Sequence, residues 1–125
     1  MDKVVHFEIP AEDMARAEQF YKSIFHWKIN LIPEFNYAII HTVETDEKQM
    51  PRVPGAINGG MMKRGLIKNP IITINVKNID DSLTQIEEAG GKVIAQKQAV
   101  GEMGFSAYFE DTEGNILGLW ENAKN

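Results

Sequence analysis

The sequence predicts an α+β fold of two tandem βαβββ modules, one over residues 1–63 and one over 71–125, with a linker at 64–70. Three observations carry this expectation. Each half opens on an alternating strand followed by an amphipathic helix. A shift of 65 residues lays Phe7 on Ile72, Ile9 on Ile74, Asp13 on Asn78 and Tyr21 on Ile86, so that apolar falls on apolar and cap region on cap region. At 125 residues and 43% apolar content the chain is long enough for one ordinary domain. One helix behind a few strands buries too little alone, so the two units are expected to share a core. The competing reading is a ferredoxin-like α+β sandwich with coincidental self-similarity.

In the first module, Val4 to Ile9 alternates as a strand does, and Pro10 closes it. Asp13 caps a helix whose apolar residues Met14, Ala17, Phe20, Tyr21, Ile24 and Phe25 recur at three- and four-residue spacing. His26 stands where Gly91 stands one repeat later, and is expected to take the helix-terminal conformation itself. Strands follow over Trp27 to Ile32 and Tyr37 to Val43, joined by the turn Pro33-Glu34-Phe35-Asn36. Residues 44–56 form the one long loop, and Ile57 to Met62 the last strand. In the second module, Ile71 to Val76 is a strand, Asp80 caps a helix carrying Leu83, Ile86 and Ala89, and Gly90-Gly91 ends it. Val93 to Ala95, Phe105 to Phe109 and Ile116 to Trp120 complete the order, with residues 101–104 as a hairpin and 111–115 as a turn.

A formal charge of −5 and a pI near 5.2 give no general attraction to phosphate backbones or anionic lipid, so neither nucleic acid nor a membrane is the expected partner. Lys63, Arg64 and Lys68 are too few to change this. The absence of cysteine removes disulfides, thiolate metal sites and a cysteine nucleophile, and fits a reducing cytoplasm. The N-terminus reaches acidic and proline residues before any signal-like apolar run, and no stretch approaches the ~18 apolar residues of a membrane span. The expectation is a cytoplasmic protein. Phosphate-binding glycine loops, G-x-S-x-G and H-E-x-x-H are all missing from the sequence.

Two stretches, HFEIPAEDMARAEQFYKSIFHWKI from His6 and FEDTEGNILGLWE from Phe109, together resemble the vicinal oxygen chelate superfamily, which includes glyoxalase I, the bleomycin resistance proteins and extradiol dioxygenases. The first is similar to that family's strand, acidic residue and helix ending in Phe-Tyr. The second is similar to its Asp-Pro-x-Gly-Asn turn and final strand. The resemblance implies strands that curl into a cup around a cavity, and a homodimer that covers open sheet edges. It also implies, in metal-bearing members, one ligand from each first strand and each last strand, usually His and Glu. Those positions match His6, Ile71, Gly118, and Gly59 or Gly60. Neither isoleucine nor glycine donates a side-chain atom, and one imidazole does not make a tight site, so no metal and no cofactor are expected.

Strand alternation puts His6 and Glu8 on the face opposite Phe7 and Ile9, hence toward the cup. By the same rule Ile71, Thr73 and Asn75 face it from the second module, with Ile72 and Ile74 on the helix side. Gly118 and Trp120 share a face, and a mid-strand glycine such as Gly118 marks either close approach by a ligand or a bend of the sheet. His41 shares a face with Tyr37 and Ile39, and joins the site if that face lines the cup. The expected ligand cavity is thus His6, Glu8, His41, Gly60, Ile71, Thr73, Asn75, Gly118 and Trp120. His6 is the candidate general base, with Glu8 its partner. Against this, a lone histidine is more often structural, and a rim carboxylate such as Glu8 is often solvated. The 44–56 loop is either a lid, with Arg52 meeting an anionic ligand, or a solvated hairpin tip.

The expected function is metal-independent binding of a small organic molecule. The alternative is a lyase or isomerase using His6 as base, or a weak divalent-metal enzyme recruiting Glu8, His41 or Glu121. Classical glyoxalase I activity is not expected, because that chemistry stabilises an enediolate with a metal.

Overall fold

A computed structural model describes residues 1–124. The element order is β1 (Val4–Ala11), α1 (Met14–Phe25), β2 (Lys28–Ile32), β3 (Tyr37–His41), β4 (Gly59–Lys63), β5 (Ile71–Asn75), α2 (Ile79–Glu88), β6 (Lys92–Val100), β7 (Gly104–Glu110) and β8 (Ile116–Asn122). The expected α+β class and the two βαβββ orders are both present. The chain divides into two compact units, one of residues 6–70 and one of residues 1–5 with 71 onward.

In the first unit the strand order is β2-β3-β4-β1, with β1 and β4 parallel and the other pairs antiparallel. Phe7, Ile9 and Ala11 point to α1 and join a core of Ile29, Ala38, Ile40 and Met61. Helix α1 starts as expected: the Asp13 carboxylate accepts the Arg16 N–H at 2.9 Å, satisfying one of the donors a helix start leaves open. It ends at His26 in the left-handed conformation, φ 60°, a shape that costs a non-glycine residue about 1–2 kcal/mol. The aromatic stack beyond it offsets this. Trp27 lies parallel to Tyr21 at 5.1 Å and meets Phe25 at 5.6 Å and Phe7 at 6.0 Å, which pins the helix end to the sheet.

In the second unit the order is β5-β8-β7-β6, and the core comprises Val76, Ile79, Leu83, Ala107, Phe109 and Leu119. Three expectations are corrected here. The cap of α2 is Asn78, whose side chain accepts the Asp81 N–H at 2.9 Å, and not Asp80. Asp80 and Asp81 instead fill the first turn, where negative charge meets the positive end of the helix. Strand β6 extends to Val100, well past the short apolar run Val93 to Ala95, because its far half pairs through backbone bonds while its side chains stay largely exposed. Ile72 does not pack beneath α2: it is 46% exposed, whereas Ile74 joins the core.

Glu121 ties β8 to α2. Its carboxylate accepts the Ile79 N–H at 2.7 Å and the Lys97 ammonium at 3.1 Å, and the same ammonium sits 4.3 Å over the Phe105 ring. It lies on the face of Leu119, toward the helix, and is therefore spent on structure rather than open to a metal. The helix N–H, followed by Lys97, holds its carboxyl below the ordinary 4.5. Replacing Glu121 by Ala should cost about 1–3 kcal/mol in urea unfolding at neutral pH, because two donors lose their partner. The wild-type contribution is present above the ordinary carboxylate pKa and lost as pH falls through the lowered one, so the gap between the two proteins should close in acid.

Candidate functional site

On β1, β3 and β4 the sheet face away from α1 carries the expected residues. His6 and Glu8 alternate with Phe7 and Ile9, and Gly60 lies directly between Glu8 of β1 and Ile39 of β3. The glycine register is thereby resolved. A side chain on Gly59 would run into the Phe7 ring on the helix side, so Gly60 is the glycine that shares the face of His6. His41 is on this face too, next after Ile39 in the alternation, and is partly buried. Glu8 is not solvated at a rim: it is only 6% exposed.

The sequence reading missed the residue that organises this face. Tyr37, at the first position of β3, has Met62 as its own cross-strand partner, yet its phenol does not stand over that row. It lies back along the sheet. A Cβ built on Gly60 would meet the Tyr37 hydroxyl and the ring carbons beside it, so the phenol fills the space a side chain at position 60 would take. Its oxygen then reaches His6 Nε2 at 3.0 Å. Burial lowers the pKa of His6 below its ordinary 6.5, with the Glu8 charge opposing, so the imidazole is neutral at neutral pH. In the sequence the only sign was a large residue opening a strand on the face of Ile39 and His41, which is also ordinary sheet packing.

In the second module Thr73, Gly118 and Tyr108 form one row across β5, β8 and β7. A Cβ on Gly118 would come within 2.7 Å of Thr73 Oγ1, so a side chain there would crowd its cross-strand neighbour. Ile71 and Thr73 are buried. Asn75 does not present a free amide, since it donates to the Trp120 carbonyl at 3.0 Å. Trp120 shares the face of Gly118, packs on Gly104, and donates its indole N–H to Asn122 at 2.8 Å. Tyr108 was the second residue the sequence reading passed over.

The 44–56 loop folds on itself. The Asp46 carboxylate accepts the N–H groups of Lys48 and Met50, Thr45 bridges Pro51, and the Arg52 guanidinium donates to the Thr45 carbonyl. At the loop base the Asn58 side chain accepts the N–H groups of Thr42 and Val43 and donates to the Val43 carbonyl. These bonds make it a closed hairpin tip. Of two surface cavities, about 440 Å³ around Lys3, Asn75 and Lys77 and about 350 Å³ around Pro10, Arg16 and Phe20, neither is lined by His6 or Gly60.

The residues at the four positions that match metal ligands do not fit a metal. His6 Nε2 is engaged by Tyr37, the side-chain space of Gly60 is taken by Tyr37, Gly118 has no side chain to donate, and Ile71 offers only carbon. Among the described residues no three of His, Asp or Glu gather as a ligand set.

The family model described as bleomycin resistance protein-like N-terminal matches residues 3–42, the span from β1 through β3. No curated protein matches the chain. Among solved structures, a Streptomyces coelicolor methylmalonyl-CoA epimerase in complex with 2-nitronate-propionyl-CoA is similar at 14% identity, over 98% of this chain and 98% of that one, with a TM-score of 0.66. A Vibrio splendidus member of the glyoxalase/bleomycin resistance protein/dioxygenase superfamily is similar at 10% identity, over 98% and 99%, with a TM-score of 0.63. The methylmalonyl-CoA epimerase of Mycobacterium tuberculosis follows at 14%, over 97% and 88%, with a TM-score of 0.61. No helix is long and apolar enough to cross a membrane, among the described residues.

Two outcomes follow for this face. Gly60→Ala should destabilise the protein by about 1–3 kcal/mol through the clash with Tyr37, whereas Gly65→Ala, which meets nothing within 4 Å, should stay within about 0.5 kcal/mol. In a Gly60→Ala/Tyr37→Ala double mutant the penalties should fail to add by about 0.5 kcal/mol or more. For His6, the folded pKa is depressed, so the unfolded chain takes up the proton first: stability should decline as pH falls from about 6.5 through the lowered value and then level off. NMR titration of the three imidazoles alongside melting curves checks both signs.

Proposed function

We propose that this chain, which has the fold of the vicinal oxygen chelate superfamily and a bleomycin resistance protein-like first module, binds a small organic molecule without the help of a metal. One observation carries the reading: on the face that bears His6, the place of a last-strand ligand is taken by the Tyr37 phenol lying over Gly60. Around it His6, Glu8, Tyr37 and His41 offer polar groups beside the apolar Ile39, a mixture found in small-molecule sites. The similar epimerase structure holding a propionyl-CoA analogue gives CoA esters as one class to test.

A second reading is favoured by the state of His6. A neutral imidazole bonded to a phenol is equipped to accept a proton, so the same face can serve a lyase or isomerase with His6 as general base. The reading further includes a cytoplasmic homodimer, supported by Phe20, Ile24 and Phe25, each more than half exposed on α1, and by β2 at the end of its strand order.

Native mass spectrometry of freshly purified protein, with neither metal nor chelator added, should give metal-free protomers, some retaining an organic adduct. A stoichiometric divalent ion on the protomer overturns the reading. Once a ligand is in hand, His6→Ala separates the two versions: a binder changes in affinity alone, while an enzyme loses about 10²–10⁴ in turnover.

A further inference from the structure

The cavity of about 350 Å³ at the start of α1 brings together groups that the fold itself does not use. It lies within the first unit and is lined by Pro10, Ala17, Phe20, Tyr21, Arg16 and Arg64 among others. Its aromatic side is preorganised. Tyr21 lies parallel to Trp27 at 5.1 Å, and the Phe20 ring stands edge-on to Tyr21, also at 5.1 Å. Phe20 is nevertheless 55% exposed, and the architecture does not require that. The 65-residue repeat lays Arg16 on Asp81 and Phe20 on Gln85, so the corresponding places on α2 carry exposed polar residues of the ordinary kind. Arg16 and Phe20 stand one turn apart, and so on one side of α1. Charge then narrows the ligand. The Asp13 carboxylate takes the Arg16 backbone N–H and Arg64 pairs with Glu12 at 3.1 Å, but among the described residues nothing pairs with the Arg16 guanidinium. A guanidinium left over beside an aromatic wall matches a planar carboxylate on an apolar body, which takes two parallel N–H···O bonds at one end and ring contact at the other. Glu12 and Asp13 line the same cavity, and two carboxylates there disfavour a dianion such as phosphate.

We propose that this cavity binds an aromatic monocarboxylate, its ring against Phe20 and its carboxylate on the Arg16 guanidinium. The inference goes beyond the reading of the His6 face, since neither His6 nor Gly60 lines the cavity. Arg64 is the second donor, and Glu12, which holds it at 3.1 Å, competes with the ligand for it. Ile24 and Phe25, further along α1, do not line the cavity and remain exposed for the subunit contact.

The test uses the full chain at neutral pH and about 0.15 M salt, where a Debye length of ~8 Å leaves only nearby charges to matter. The probe is 2-naphthoate. The comparisons are 2-naphthol, which keeps the rings and is uncharged because phenols titrate near ~10, and acetate, which keeps the carboxylate without the rings. Affinity is read by calorimetry, and the place of binding from the ¹⁵N signal of the Arg16 side chain. Wild type should bind 2-naphthoate saturably with the Arg16 signal moving, and should bind both comparisons at least about fivefold more weakly. Arg16→Gln should bring naphthoate down to the affinity of naphthol and leave naphthol unchanged, whereas Phe20→Ser should weaken both. Glu12→Gln, which releases Arg64, should tighten naphthoate about two- to fivefold. Glu34→Gln removes the same charge outside the cavity and should not. Arg16, Glu12 and Glu34 are all exposed, so these variants should melt as wild type does. No saturable binding, wild-type affinity in Arg16→Gln, or equal tightening in the two glutamate variants overturns the proposal. A second copy of the chain is the competing occupant. Affinity that falls as protein concentration rises, with Phe20→Ser turning dimers into monomers, makes Phe20 a subunit contact and overturns the proposal too.

Discussion

The contact between the Tyr37 phenol and the bare backbone of Gly60 constrains everything on the helix-free face of the first module. Gly60 has no room for a side chain because the hydroxyl end of Tyr37 is there, and Tyr37 can reach that place because Gly60 lacks one. From that position the hydroxyl reaches His6, which sits two cross-strand rows away from Tyr37. The imidazole is thereby hydrogen-bonded as well as buried, and burial keeps it neutral. A glycine in a strand normally weakens it, by lost packing and by the entropy of the unfolded chain. Here the loss is offset by contacts from the neighbouring strand's aromatic ring.

The second module solves the same geometric problem with a smaller group. Thr73 Oγ1 lies near the space above Gly118, and Tyr108 stands on the other side of that glycine in the row. The two glycines have different neighbours: a long phenol that reaches across rows in one module, a short hydroxyl from the paired strand position in the other. Charged groups are divided in a related way. Glu121, on the helix side of β8, is consumed by the N-terminus of α2 and by Lys97, whereas Glu8 is buried on the opposite face of its own strand, beside the ring-filled glycine.

Much of this was legible in the sequence, and the rest was not for identifiable reasons. Period-two alternation assigned His6, Glu8, Gly60, Thr73 and Gly118 to their faces, because a strand leaves a side chain only two directions. The 65-residue repeat had already laid Asn78 on Asp13, and both are helix caps in the structure. Local propensity pointed to Asp80 instead, since aspartate is a good cap wherever it stands; the repeat carried the better information. Alternation does not say how far a side chain leans along its strand, and so the lean of Tyr37 toward His6 was invisible. The burial of Glu8 and the exposure of Ile72 were missed for a similar reason: a face can be read from one strand, but its cover depends on what other elements bring to it.

A neutral, buried histidine does not by itself separate a metal site from an organic one, because a metal also requires its imidazole ligand to be deprotonated. Donor number and available space make the separation. A tetrahedral ion needs three or four donors, and the matching positions supply one imidazole, an isoleucine and two glycines, one of whose side-chain spaces is taken by Tyr37. The one imidazole is hydrogen-bonded to the Tyr37 hydroxyl, which lies in the space a side chain on Gly60 would take.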